Sequence, residues 1–139
     1  AGYGLPWAFV IEEDFTLERD VDLADMQRAM DDRPHLVQMA LRRQAWSRPE
    51  IEAGGALEQH PDQYDDLPDH LEHRLFFTTN PSLICRDFVT HNPWPKGAGS
   101  ELRFAREVFR DESLRSGYWG SRTDEPWVLH HGERSGSGY

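Results

Sequence analysis

The chain opens on an apolar run, Trp7-Ala8-Phe9-Val10-Ile11, that stops abruptly at Glu12-Glu13-Asp14. Aromatic and β-branched residues dominate that run, which predicts a buried strand leading into an acidic turn. Asp22 precedes Leu23, Met26, Ala29 and Met30, whose three- and four-residue spacing predicts a capped helix ending at Asp31-Asp32-Arg33-Pro34. From Leu36 to Arg43, Val37, Met39 and Leu41 alternate as in a strand, although the length also suits a helix; the break at Pro34 favours the strand. Residues 47–70 carry three prolines, the Gly54-Gly55 pair and many Asp and His residues, a pattern that predicts a long loop or lid with little regular structure.

Leu75 to Thr79 reads as a further strand closed by Asn80-Pro81, with Ser82 to Arg86 as a short extension. Beyond a loop from His91 to Ser100, Leu102, Ala105 and Phe109 mark one face of a helix over Glu101 to Arg110, with Ser100 placed to cap it. Trp127-Val128-Leu129 is a last short strand before a Gly- and Ser-rich tail, Gly132 to Tyr139. Strands followed by helices point to an α/β fold, and 139 residues suit one domain that buries a core without disulfides.

Composition adjusts this picture in three ways. Hydrophobic residues at 37% with aromatics at 12% describe a polar but folded, loop-rich domain rather than a disordered chain. The single cysteine, Cys85, cannot form an internal bridge and sits in the apolar Leu83-Ile84-Cys85 stretch, so a buried thiol and a reducing, cytoplasmic compartment are expected. Leu5 to Ile11 is too short for a membrane span and has no basic segment before it, so no membrane insertion is expected. A net charge of -10 argues against a broad nucleic-acid surface, and any phosphate ligand then needs a bridging cation or a local Arg cluster.

The chemistry concentrates at the acidic turn. Three successive carboxylates at a strand end repel one another, and a divalent cation relieves that repulsion. In extended backbone Glu12 and Asp14 point to one side and Glu13 to the other, so the first and third can share one ion or its ligand. Oxygen ligands suit Mg²⁺ or Mn²⁺, which keep positions open for phosphate oxygens and water. A solvated acidic turn is the simpler alternative. A second metal arrangement, with Asp66, Asp69, His70 and His73 around zinc, requires His70 and His73 to share a helix face; it lacks the His-Glu-x-x-His pattern of zinc hydrolases.

Phe9-Val10-Ile11-Glu12-Glu13-Asp14-Phe15 resembles the acidic motif of glycosyltransferases with the GT-A fold, in which an apolar strand carries carboxylates to the diphosphate of a nucleotide sugar. Gly97-Ala98-Gly99-Ser100-Glu101 looks like their Gly-bearing loop and acidic helix start beside the acceptor. Trp127-Val128-Leu129-His130-His131-Gly132 is similar to the strand and C-terminal histidine that complete their metal site. The three motifs follow the family's chain order and cover most of the sequence. The resemblance implies a Rossmann-like mixed sheet with flanking helices, family 2-like, represented by its acceptor-side portion. Such enzymes place a nucleotide-binding βαβ region before the acidic strand, where only Ala1 to Pro6 stand here, so the expectation is a fragment of a longer protein, a missing half supplied from elsewhere, or a domain that no longer binds a nucleotide.

The activity so implied is metal-dependent transfer of a sugar from a nucleotide-diphosphate donor to a hydroxyl of a protein or glycan, with inversion. Mn²⁺ or Mg²⁺ is the implied cofactor. Asp14 and His130 are the implied metal ligands, His131 being the alternative histidine. Glu12 and Glu13 face the donor, with Arg134 as the tail cation over the diphosphate. Glu101 is the implied general base, at a helix start where the positive end of the macrodipole favours a negative charge. Trp94 and Asn80 are the acceptor-side candidates, an aromatic plane and an amide suited to a sugar. Trp119 reads as a packing residue. The other class of function compatible with these residues is a non-catalytic, glycosyltransferase-like interaction module.

Overall fold

The computed structural model describes residues 6–132, and within them the chain forms a six-stranded mixed sheet, a two-stranded sheet and four α-helices. In chain order the elements are β1 (Trp7–Val10), β2 (Phe15–Leu17), α1 (Leu23–Asp31), β3 (Leu36–Ala40), α2 (Arg48–Ala53), β4 (Asp65–Asp66), β5 (His70–His73), β6 (Ser82–Cys85), α3 (Arg86–His91), α4 (Ser100–Val108), β7 (Arg115–Trp119) and β8 (Val128–His130). The large sheet has the order β1-β6-β3-β7-β5-β4, and β2 pairs with β8 in the small one. The α/β class expected from the sequence is therefore present. None of the helices among the described residues is long and apolar enough to cross a membrane.

β3 lies at the centre and is buried along its whole length, because both faces of the sheet are covered. On one face α1 packs Met26 and Met30 against Met39 and Leu83; on the other, Phe104 and Val108 of α4 meet Val37 and Ile84. A third cluster, Ala40, Leu57, Tyr64, Leu71 and Tyr118, fills the space under the segment between α2 and β5. Asp22 caps α1 by accepting from the Asp25 N–H at 3.0 Å, as its position predicts.

β1 is an edge strand with β6 as its neighbour, so its residues alternate between half-buried and exposed instead of being buried throughout as the apolar run suggests. The segment from 47 to 70 is more ordered than its Pro and Gly content predicts. Ser47 and Glu50 close a capping box over α2, and Gly54 ends that helix with φ 96°, a left-handed conformation that glycine adopts without strain. Leu75 to Thr79 is irregular rather than a strand. Buried Gln38 reaches out of β3, donating to the Thr78 carbonyl at 2.7 Å and accepting from the Thr78 N–H at 3.1 Å, so one side chain replaces a backbone ladder.

Ser82 to Cys85, expected as a mere extension, is an inner strand between β1 and β3, and α3, for which no element was expected, follows it directly. Cys85 is free and half-buried. α4 turns Phe104, Ala105 and Val108 inward and leaves Leu102 52% exposed; Gly99, at φ 68°, occupies its N-cap in place of Ser100. β7 has no counterpart in the predicted elements. Its Gly117 admits Met39, since a Cβ there would lie 2.8 Å from the Met39 sulfur.

Strand direction decides where a site can form. β3 and β7 are parallel, β6 runs against β3, and β1 runs against β6, so β1, β3 and β7 point the same way. Their carboxyl ends deliver Glu12 to Asp14, Arg42 to Gln44 and Trp119 to one edge of the sheet, the position where open α/β sheets hold ligands.

Candidate active site

The chain leaves β1 through a turn closed by the Phe15 N–H on the Glu12 carbonyl at 3.3 Å, and then enters β2. That turn sets Asp14 against β8: the His131 N–H donates to the Asp14 carbonyl at 2.7 Å, and His130 Nε2 lies 2.9 Å from Asp14 Oδ2. The His130 ring is held between Phe15, stacked at 4.6 Å, and Trp46, tilted at 4.3 Å. Its backbone is gripped by Gln44, whose amide donates to the His130 carbonyl and accepts from the His130 N–H, each at 3.0 Å. His131 falls on the other side, with its ring nitrogen 2.8 Å from the Thr16 hydroxyl. Strand alternation thus separates the two histidines and places His130 beside the aspartate.

Asp14 and His130 line a cleft of about 260 Å³ together with Glu12, Phe15, Arg43, Trp46, Thr78, Asn80 and Glu101. Glu101 comes from the first turn of α4, and one of its oxygens accepts from the Thr79 N–H at 2.8 Å. Residues as far as 116 positions apart in sequence, at the acidic turn, the start of α4 and the end of β8, therefore meet around one cavity. Within it Arg43 is already engaged: both of its terminal nitrogens hold Glu50, at 2.8 and 3.1 Å. Three carboxylates consequently face the cleft with His130 as their close basic neighbour. Partial burial and then the charges of Asp14 and Glu101 raise the Glu12 carboxyl above its ordinary value.

Two buried polar atoms in this cleft lack any hydrogen-bond partner among the described residues: Asp14 Oδ1 and His130 Nδ1. Gly132 fits closely against the pair, and a Cβ on it would stand 2.6 Å from Asp14 Oδ2 and 2.8 Å from His130 Nε2.

Several expectations are corrected. Glu13 does not line the cleft; Glu13 and Asp14 lie in a turn, where the alternation expected of an extended strand does not apply. Trp94 does not line the cleft either; its ring packs 4.6 Å from Phe104 and 5.9 Å from Phe77 over the α4 core. Asn80 does reach the cleft, buried and donating to the Leu41 carbonyl at 3.3 Å. Arg134 lies outside the described residues. Trp119 packs against the α1-side core, as a packing residue should.

The zinc alternative is removed by geometry. His70 and His73 lie on a strand, where three-residue spacing sends them to opposite faces, and each is committed elsewhere. His70 bonds Asp69 at 2.5 Å and Glu72 at 3.0 Å, His73 accepts from the Leu75 N–H at 3.1 Å, and Asp66 pairs with Arg122. Among the described residues, no group of three or more His, Cys, Asp or Glu side chains is placed to hold a metal ion.

Sequence reasoning did not find Arg43, Gln44, Thr78 or Gly132. The Ser47-x-x-Glu50 capping pattern was a usable signal for α2, and hence for a fixed Trp46 beside the cleft. Comparison with protein-family profiles, with curated proteins and with solved structures finds no match to this chain.

Proposed function

We propose that this cleft transfers a sugar from a nucleotide-diphosphate donor to an acceptor hydroxyl, and that the fold is an acceptor-side portion of the GT-A type. The observation that carries the reading is the meeting of Asp14, His130 and Glu101 around one cavity at the carboxyl ends of the co-directional strands. These are the groups that the sequence motifs single out, and they come from three separate segments of the chain.

The donor set fits Mn²⁺ or Mg²⁺ held jointly with phosphate. Asp14 Oδ1 is buried without a partner among the described residues, the nearby carboxylates leave uncompensated charge, and Glu12 is raised first by burial and then by that charge. Asp14 and His130 are the residues that would hold the ion. Ions of this kind bind through one or two protein ligands and complete their shell with substrate oxygens and water, so a closed protein cage is not required. When bound, such an ion supplies Lewis-acid stabilisation to the diphosphate leaving group.

The chain's own residues supply the rest. Glu101, one oxygen fixed by the Thr79 N–H, keeps its other oxygen for the proton of the acceptor hydroxyl. As that proton passes to Glu101, the acceptor oxygen bonds to the anomeric carbon, the bond from that carbon to the diphosphate breaks, and its electron pair leaves with the diphosphate. Attack opposite the leaving group inverts the anomeric centre. Phe15 and Trp46 fix the His130 ring, and Gln44 fixes its backbone, so the ring needs no reorganisation when the donor arrives.

Release of nucleoside diphosphate from a panel of nucleotide sugars, with and without Mn²⁺, tests the reading on the chain and on the full reading frame that encodes it. Asp14→Asn is expected to reduce Mn²⁺-dependent release about 100-fold or more. Gly132→Ala, which forces a methyl group between Asp14 and His130, is expected to reduce it while leaving the thermal melt in place. Absence of Mn²⁺-dependent release from every donor and both proteins would sink the transfer reading in favour of a non-catalytic module.

A further inference from the structure

A second cavity, of about 160 Å³, adjoins the acidic cleft and shares Arg43, Thr78, Asn80 and Glu101 with it. Tyr64, Tyr118, Phe76 and Gln59 provide its distinguishing walls. Phe76 lines this cavity with its ring 37% exposed, so part of the ring face is open to an occupant. The phenol oxygens of Tyr64 and Tyr118 make no hydrogen bond among the described residues, and neither does the side-chain amide of Gln59. Asn80 uses its nitrogen on the Leu41 carbonyl and keeps its side-chain oxygen free.

The charge in this cavity is already spoken for. Arg43 and Glu50 neutralise each other, and Arg42 is held by the backbone carbonyls of Ser121 and Asp124. Burial raises the Tyr118 phenol to about 12 and also raises that of Tyr64, so both remain neutral hydroxyls. What is left facing the cavity is a set of uncharged hydroxyl and amide groups, aromatic surface, and one carboxylate at the junction with the acidic cleft. Aromatic faces with a few neutral hydrogen-bonding groups match the two sides of a sugar ring, its C–H face and its hydroxyl edge. An extended peptide recognises backbone ladders and side-chain pockets along a groove, and this compact cavity offers side-chain groups in place of free backbone edges.

We propose that this cavity is the acceptor subsite and that its occupant is a neutral pyranose unit of a glycan, with one hydroxyl directed to Glu101. The assignment rests on the transfer reading above for the word acceptor, while the sugar preference stands on the cavity itself.

Saturation-transfer NMR of the full chain, without donor or metal, against a panel of methyl pyranosides and a panel of Ser- and Thr-containing peptides tests it. At least one pyranoside is expected to bind, and Phe76→Ala and Gln59→Ala, both at solvent-reached positions, are each expected to weaken that binding roughly fivefold. A melt unchanged in both variants establishes that the loss is local. Binding of peptides alone, binding of nothing in either panel, or pyranoside binding indifferent to both substitutions overturns the proposal. Mn²⁺-dependent donor turnover with no pyranoside bound removes the sugar preference and leaves the transfer reading standing. Pyranoside binding without turnover keeps the sugar site and removes the transfer reading.

Discussion

His73 and His130 sit in contrasting surroundings, the first buried and the second half-buried. His73 is 1% exposed, its Nδ1 accepts the Leu75 N–H, and its ring lies against Tyr118 and Tyr64. Burial first, and Arg115 second, lower its pKa to about 3. The unfolded chain therefore takes up a proton on this residue near its ordinary value while the folded one does not. Stability is complete above that value and is lost as pH falls toward 3, with a slope of at most about 1.4 kcal/mol per pH unit. Urea denaturation at neutral pH and again just above the carboxylate range measures the slope, and His73→Phe is expected to flatten it. His130, by contrast, is placed by rings and a carboxylate for use. The sequence named Glu12, Asp14 and His130 as residues of one chemistry, but Glu12 and Asp14 reach the cleft through a turn and not by the alternation of an extended chain. It did not disclose that Phe15 and Trp46 would select His130, since those contacts join distant segments, and it favoured Trp94, whose aromatic surface the α4 core claims instead.

At the scale of elements, α2 shows how a short helix can be misread. Its Pro49 and terminal Gly54 look like loop residues, yet Pro stands in the first turn and Gly at the C-cap, where each favours a helix. Glu50 carries much of its stability. Burial alone would raise this carboxyl, but hydrogen bonds from Arg43 and the Trp46 N–H outweigh it and hold the pKa below normal. Ser47→Ala is expected to cost about 1 kcal/mol through the cap alone. Glu50→Gln is expected to cost more, about 2 kcal/mol, because it also leaves the half-buried Arg43 without its counter-charge. Thermal or chemical denaturation of the two variants measures the difference, and equal losses would mean that the Arg43 pair contributes nothing. The same logic explains Leu75 to Thr79: its composition is that of a strand, but buried Gln38 and the neighbouring β6 had already satisfied the sheet there. Periodicity reports what a segment prefers and is silent on which neighbour arrives first.

Taken whole, the molecule is two sheets joined at a corner. The large sheet was partly legible, through the apolar runs of β1 and β3, whereas β7 was hidden because its Gly117 and Ser116 are chosen to fit Met39 and the sheet interior rather than to look like a strand. The site was legible as chemistry and illegible as architecture, since the convergence of strand ends depends on the β1-β6-β3-β7 order, which pairs elements far apart in sequence. Glu12, Asp14 and Glu101 gather at that convergence.

The grip of Gln44 on His130 gives this corner a mechanical character. The Arg42 carbonyl accepts the Trp127 N–H at 2.9 Å, Arg43 bridges Val128, and the Gln44 amide then meets both backbone groups of His130, imitating a strand residue with a side chain. A glutamate there offers no donor and sets two oxygens against one another. Gln44→Glu is expected to quicken amide exchange at His130 by about tenfold while the large sheet keeps its protection. The small ribbon would then swing on its remaining pegs, carrying the imidazole out of register with the aspartate. One side-chain amide thereby sets the angle at which Asp14 and His130 face each other across the cleft.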